Sequence, residues 1–140
     1  MSVEAKPRIV IIENDLPTLE LYRRELSSEY EVLATLDVTE ALAMAQMAGV
    51  RAVVLEPALG GGKGWELLAT LSQTAVAESP PVILCSTSDE RRKGMALGVA
   101  AFLVKPVLPT ALHQVLRRII GKRPAAVTGS RELAAGTDLS

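Results

Sequence analysis

The sequence predicts a doubly wound α/β domain, in which a parallel β-sheet carries helices on both faces. The first observation behind this prediction is that apolar runs and helical patterns alternate five times along the chain. The second is that three of the apolar runs are continuous stretches of Val, Ile and Leu, a pattern typical of strands covered on both sides. Parallel strands need crossover connections, and the helical patterns between the runs supply them.

The five predicted strands are short apolar runs of ordinary strand length. In chain order they are "RIVII" (8–12), "EVLAT" (31–35), "AVVL" (52–55), "VILC" (82–85) and "AAFLV" (100–104). A helical pattern follows each of them, so the chain consists of one β-α unit repeated five times.

The helices are predicted from apolar side chains that recur at helical spacing. The first helix is outlined by Leu16, Leu19 and Leu26, and the second begins at Val38 and is expected to end at Gly49. The third and fourth are "GWELLATLSQ" (64–73) and the weaker "DERRKGMALG" (89–98). The last begins near Pro109 and carries one apolar stripe formed by Leu112, Val115, Leu116, Ile119 and Ile120.

The composition indicates one globular domain. The chain has 140 residues and a formal net charge of −1, which makes nucleic acid and membrane surfaces poor partners. Cys85 is the only cysteine, so no internal disulfide forms, and no secretory signal or membrane-spanning run is found. We expect a cytoplasmic protein with a domain over 7–121 and a flexible tail or linker over 122–140.

Polar side chains stand at the carboxyl ends of the predicted strands. In chain order they are Glu13-Asn14-Asp15, Glu56, Ser86 and Lys105. In open α/β sheets, ligands bind beyond these strand ends, where the strand order reverses. In the flavodoxin-like order 2-1-3-4-5, strands 1 and 3 are neighbours, so Glu13 and Glu56 converge. Such a group of side chains is typical of a site for a phosphoryl group or a divalent cation.

Four stretches of the chain carry a wider pattern. They are "IVIIENDLPTLELYRREL", "VVLEPALGGGKGWELL", "PVILCSTSDE" and "GVAAFLVKPV". In this order they resemble the receiver domain of bacterial two-component response regulators, from about Arg8 to Ile120. The most specific feature is Lys105-Pro106 after an apolar strand, with Phe102 three residues before the lysine.

The resemblance implies a role for each polar residue at the strand ends. The phosphoacceptor aspartate of the family falls on Glu56, and its acidic pair falls on Glu13 and Asn14, with Asp15 next to them. The hydroxyl and aromatic switch residues, the lysine and the glycine that opens the third helix fall on Ser86, Phe102, Lys105 and Gly64.

Two departures from the family pattern concern its phosphorylation chemistry. Glutamate at position 56 carries one more carbon than aspartate, which moves the carboxylate by roughly 1.5 Å, and such a displacement slows reactions. Asn14 offers a neutral amide where the family has an acid, and hard cations prefer charged oxygens. Mg²⁺ binding is therefore expected to be weakened, and any ligands would come from Glu13, Glu56 and Ala58.

We therefore predict an atypical receiver, or pseudo-receiver, that is not an enzyme. It acts in phosphorelay signalling by protein–protein interaction, with weak or absent phosphorylation. Its partners are expected to be a histidine kinase, a phosphotransfer protein or another signalling protein, and a homodimer is an open alternative. One version of this prediction makes the Glu56 carboxylate a partial mimic of a phosphoryl group.

Other functions remain as alternatives. Glu56 could still accept a phosphoryl group with Mg²⁺, or could be a plain strand-end carboxylate paired with Lys105. The chain could be a receiver domain cut from a larger regulator or hybrid kinase. A flavodoxin-like site for a small molecule is disfavoured, because the chain has only four aromatic residues of the Phe, Trp and Tyr types.

The remaining distinctive residues have simple structural interpretations. The glycine run 60–64 fails the phosphate-loop pattern, because Gly64 stands where Ser or Thr is needed. Trp65 is expected to cap the third helix, and His113 to be a solvated helix residue. The basic residues 91–93 are expected to form a solvated helix face.

Overall fold

The parallel sheet predicted from the sequence is present, in the strand order β2-β1-β3-β4-β5. The computed structural model describes residues 5–73 and 79–121, so the predicted tail over 122–140 lies outside the described residues. The elements are β1 (Arg8–Ile12), α1 (Leu16–Leu26), β2 (Glu31–Thr35), α2 (Val38–Ala45), β3 (Val50–Leu55), α3 (Leu59–Gln73), β4 (Val82–Ser86), α4 (Arg91–Ala96), β5 (Ala101–Val104) and α5 (Pro109–Ile120). The doubly wound fold and the order 2-1-3-4-5 are confirmed.

The central strand β1 joins two hydrophobic layers because its side chains alternate between the faces of the sheet. Ile9 and Ile11 pack with residues of α1 and α5, and Cys85 of β4 lies in the same layer. Val10 and Ile12 pack with residues of α2 and α3 on the opposite face. None of the helices within residues 5–73 and 79–121 has the length and apolar character needed to cross a membrane.

The second helix ends earlier than the sequence predicts. Helix α2 begins after Asp37, whose side chain accepts a hydrogen bond from the backbone of Thr39 at 2.9 Å. It stops at Ala45, because the backbone N–H of Gln46 already turns back to carbonyls in the last turn. The prediction that Gly49 ends this helix is wrong: Gly49, with φ +85°, lies in the turn that leads to β3.

The glycine run shapes the start of α3. Gly60, Gly61 and Gly62 have φ values of +62°, +72° and +101°, so they form a left-handed turn that only glycine adopts without strain. Right-handed helix continues after this turn. Gly64 follows within that helix, where a Cβ would lie 2.6 Å from the carbonyl oxygen of Pro57. The absence of a side chain at Gly64 therefore allows α3 to approach the loop that follows β3.

Candidate functional site

Two glutamates lie side by side because of the register of the central strands. Ile12 pairs with Leu55 at the carboxyl ends of β1 and β3. The next residues, Glu13 and Glu56, are consequently neighbours at the edge of the sheet. The backbone N–H of Glu56 donates to the carbonyl of Ile12 at 2.9 Å, which extends the pairing by one residue. Both glutamates are buried, with 2% and 3% of their surfaces exposed.

The Lys105 ammonium connects the two glutamates. Its Nζ donates to Glu13 Oε1 at 2.7 Å and lies 2.7 Å from Glu56 Oε1. Lys105 directly follows β5, where its backbone N–H donates to the carbonyl of Ser86 at 2.8 Å. We call these three residues the Glu13–Lys105–Glu56 cluster. It places one positive charge between two negative charges at the ends of three strands.

The second oxygen of each carboxylate accepts a hydrogen bond from the loop that follows its strand. Glu13 Oε2 accepts from the backbone N–H of Asp15 at 3.0 Å. Glu56 Oε2 accepts from the backbone N–H of Ala58 at 2.9 Å. Each oxygen of the two carboxylates therefore has a donor, as buried charges require. These N–H donors could not be predicted, because every residue except proline carries one.

Burial and ion pairing act on Lys105 in opposite directions. Burial by itself lowers the pKa of the ammonium, because it removes water from the charged form. The hydrogen bonds and charges of Glu13 and Glu56 outweigh this effect and hold the pKa of Lys105 above its usual value. The cluster therefore stabilises the charged form of the lysine.

The raised pKa of Lys105 predicts a loss of stability in alkaline solution. The unfolded chain releases this proton near pH 10.4, and the folded chain keeps it to higher pH. The stabilisation that the charged Lys105 gives the folded chain is thus complete below about pH 10.4. It is lost as the pH rises through the pKa of Lys105 in the folded chain. We expect the free energy of unfolding to fall by up to about 1.4 kcal/mol per pH unit in this window from Lys105.

Guanidinium denaturation from mildly to strongly alkaline pH measures this loss. Burial also raises the pKa of Tyr22, so the tyrosine contributes with the same sign. To isolate the effect of Lys105, the same series is measured on Lys105→Met. Over the alkaline range, the free energy of unfolding of this variant should fall less steeply with pH than that of the wild type. Equal slopes would show that Lys105 contributes nothing.

Ser86 lies at the end of β4 next to the cluster. It is buried, with 3% of its surface exposed. Its hydroxyl oxygen accepts from the backbone N–H of Ser88 at 3.1 Å, and its carbonyl receives the backbone N–H of Lys105. Ser86 therefore fixes the loop after β4 and the strand end that carries the lysine.

Asn14 and Asp15 differ from Glu13 in position. Both are exposed. The Asp15 carboxylate caps α1: it accepts the backbone N–H of Thr18 at 3.1 Å and also its hydroxyl group. These bonds to Thr18, the side-chain bond foremost, lower the pKa of Asp15. Of the three residues after β1, only Glu13 directs its carboxylate to Lys105.

Two of the three predicted metal ligands, Glu13 and Glu56, contact the Lys105 ammonium. Glu13 Oε1 and Glu56 Oε1 both face Nζ. The backbone of Ala58 is engaged twice, because its N–H binds Glu56 and its carbonyl accepts from Gly62 at 3.2 Å. Within the described parts of the chain, no three His, Cys, Asp or Glu residues are grouped so as to hold a metal ion. The Lys105 ammonium therefore lies between the two predicted carboxylate ligands.

Phe102 points into the core on the face that carries α4. It is buried, and a Cβ on Gly94 would lie 2.9 Å from its ring. The Arg91 guanidinium lies over the same ring at 5.6 Å, and the Lys93 ammonium lies 4.1 Å from the ring centre of Trp65. The basic residues of α4 are exposed as predicted, but two of them also cover aromatic rings. Trp65 is half-buried and reports on the contact between α3 and α4.

Lys105 also borders a surface cavity of about 500 Å³. The wall is largely apolar and comes from α1, from the loop between β5 and α5, and from Thr87 after β4. Two of its residues are strongly exposed, Leu21 at 50% and Leu108 at 69%. An apolar surface thus adjoins the charged cluster.

Comparison with known proteins shows which family the sequence resembles. Residues 9–117 match the sequence model of the family described as the response regulator receiver domain. The transcriptional regulatory protein PrrA of Mycobacterium leprae is 28% identical, over 94% of this chain and 57% of PrrA. The chain therefore spans little more than half the length of that curated relative.

Two solved structures share the fold. The non-phosphorylated HemR receiver domain of Leptospira biflexa is 27% identical with a TM-score of 0.73, covering 85% of this chain and 98% of that domain. The chemotaxis response regulator CheY4 of Vibrio cholerae is 23% identical with a TM-score of 0.73, covering 82% and 99% of the two chains.

Proposed function

The chain belongs to the response regulator receiver domain family of two-component phosphorelay signalling, and we propose that it is an atypical member that signals without the ordinary phosphorylation cycle. In this proposal the domain is a protein–protein interaction module rather than an enzyme. The observation that carries the proposal is the ion pairing of the Lys105 ammonium with both Glu13 and Glu56, at 2.7 Å from each.

The position of Glu56 argues against an ordinary phosphoacceptor. A carboxylate that attacks a phosphoryl group needs a free oxygen and a cation that neutralises the incoming charge. Both oxygens of Glu56 are already engaged, one with Lys105 and one with the backbone of Ala58. Attack would therefore require breaking a buried ion pair, and such pairs are costly to break.

The same contacts argue against strong Mg²⁺ binding. A divalent cation between Glu13 and Glu56 would have to displace the Lys105 ammonium, which lies there already. Asn14 supplies no compensating charge, because its amide side chain is neutral, and it is exposed to solvent. We propose that the resident cation of this site is Lys105 itself, and that Mg²⁺ binding is weak.

The cluster supports a domain held in one conformation. It connects the loops after β1 and β3 to the end of β5, through two carboxylates and one ammonium. Glu56 resembles a phosphorylated residue only partly, since a phosphoryl group carries about −1.5 to −2 charges and three acceptor oxygens. We propose that this fixed state is the one that partners recognise.

The partners we propose are a histidine kinase, a phosphotransfer protein or another signalling protein, as for other receiver domains. The exposed Leu21 and Leu108 beside Lys105 are apolar surface of the kind that protein contacts cover. PrrA is longer than this chain and is described as a transcriptional regulatory protein. A receiver within a longer regulator is therefore an alternative form of the same proposal.

Phosphoryl donors test the proposal directly. After incubation with acetyl phosphate and Mg²⁺, we expect the wild type to show no phosphoryl adduct in its intact mass. We also expect no saturable change in the fluorescence of Trp65, the only tryptophan, with these reagents or with beryllofluoride and Mg²⁺. The physical reason is that Lys105 occupies the place of the cation.

A double variant supplies the matched control. Glu56→Asp shortens the side chain that pairs with Lys105, and Asn14→Asp adds an acid beside the site, so a cation can compete with the ammonium. We therefore expect this variant to gain both the adduct and the fluorescence change. An acid-labile adduct on Glu56 of the wild type would contradict the proposal and would support a functional phosphoacceptor.

A further inference from the structure

His113 lies in a charged contact between α1 and α5, away from the Glu13–Lys105–Glu56 cluster. Its Nδ1 is 3.1 Å from Glu25 Oε2 on α1. Its Nε2 is 2.7 Å from Glu29 Oε1 in the connection from α1 to β2. Only 13% of the histidine side chain is exposed. The sequence prediction of a solvated helix residue is therefore wrong, because the glutamates that enclose the ring are more than 80 positions away in the chain.

The contact has the geometry of a protonated imidazole. A neutral imidazole has one N–H donor and one acceptor nitrogen, whereas the protonated ring donates from both nitrogens. Both partners of His113 are carboxylate oxygens, which accept hydrogen bonds when ionised. A neutral ring would place a nitrogen lone pair opposite one of these oxygens. The arrangement therefore fits an imidazolium between two carboxylates.

The other groups around the ring balance the charges of the two glutamates. Arg117, one turn along α5, donates from Nε to Glu29 Oε1 at 2.9 Å. Tyr30 meets the histidine ring edge to face, with the ring centres 5.8 Å apart. Burial tends to raise the pKa of Glu29, but its bonds to His113 and Arg117 outweigh this and lower the pKa below its usual value. Two acids thus face two bases across the α1–α5 contact.

We propose that His113 is a proton-dependent clasp between α1 and α5, which strengthens the packing of these helices when its ring is charged. The charged ring gains two acceptors in the folded chain that the unfolded chain lacks. The contact is therefore strongest when the ring is charged and weaker when the ring is neutral.

The clasp joins elements that begin at the candidate site. Helix α1 starts three residues after Glu13, directly after its cap Asp15, and α5 starts shortly after Lys105. Loss of a proton from the ring would consequently weaken the contact between these two helices. This device needs no phosphoryl group and does not depend on the proposed function of Glu56.

Nuclear magnetic resonance of the ring tests the charge state without any variant. His113 is the only histidine, so its imidazole signals are unique in the spectrum. In protein labelled with ¹⁵N on histidine, we expect both ring nitrogens to be protonated at neutral pH. The pattern of a neutral tautomer at neutral pH would overturn the proposal.

Stability measurements test the consequence. We expect His113→Gln to melt about 3–6 °C below the wild type at mildly acidic pH, with a smaller difference at mildly alkaline pH. Glu25→Gln removes one of the two charged acceptors. Its melting temperature should also differ from that of the wild type more at mildly acidic pH than at mildly alkaline pH. A difference between wild type and His113→Gln that does not change with pH would also overturn the proposal. The spectrum of the wild type decides the question if a variant fails to fold.

Discussion

Lys105→Met is expected to lower the free energy of unfolding by about 3–5 kcal/mol at neutral pH. Methionine keeps the apolar part of the lysine side chain but leaves Glu13 and Glu56 side by side without their counter-ion. Both carboxylates are almost completely buried, so water screens their repulsion poorly. Guanidinium denaturation followed by circular dichroism measures the loss.

Two further variants isolate the electrostatic cause. Lys63→Met removes a lysine on the exposed surface of α3, and its effect should stay within about 0.5 kcal/mol. Adding Glu13→Gln and Glu56→Gln to Lys105→Met should recover most of the lost stability, because the neutral amides need no counter-ion. If Lys105→Met destabilises the domain no more than Lys63→Met, the buried ion pair does not hold these strand ends together.

Gly64→Ala is expected to destabilise the domain by about 3 kcal/mol. The added Cβ would lie 2.6 Å from the carbonyl oxygen of Pro57 and 2.7 Å from that of Glu56. These are backbone atoms at the end of a buried strand, so they cannot turn aside as a flexible side chain would. Either α3 or the loop after β3 must move, and that movement disturbs the contact between Glu56 and Ala58.

Gly61→Ala separates this steric clash from the strain of the glycine turn. Gly61 has φ +72° but open space around its Cβ position. Alanine there should cost only about 1 kcal/mol, the ordinary penalty for a left-handed conformation. The midpoints and slopes of denaturation of both variants give the comparison. Equal losses in Gly61→Ala and Gly64→Ala would mean that the close approach of α3 does not constrain the site.

The fold could be predicted because its determinants are local. Continuous apolar runs such as "RIVII" require cover on both faces, and helical patterns between them imply parallel strands. The start of α5 near Pro109 follows from the fixed backbone angle of proline. The end of α2 could not be predicted from Gly49, since local backbone bonds at Gln46 close the helix first.

The composition of the candidate site could also be predicted, but not its contacts. Parallel strands direct their carboxyl ends to one edge, so Glu13 and Glu56 had to be neighbours once β1 and β3 were adjacent. The sequence does not say how far the side chain of Lys105 extends or which oxygens it meets. It does not show that Asp15 binds Thr18 rather than the lysine.

The sequence by itself determined the order of strands and helices and the residue types at the strand ends. Only the tertiary structure decided that Lys105 binds both glutamates and that His113 lies between Glu25 and Glu29. The physical reason is distance along the chain. Hydrophobic periodicity acts over one or two helical turns, whereas these ion pairs join residues that only the packing of the whole sheet and its helices brings within hydrogen-bond range.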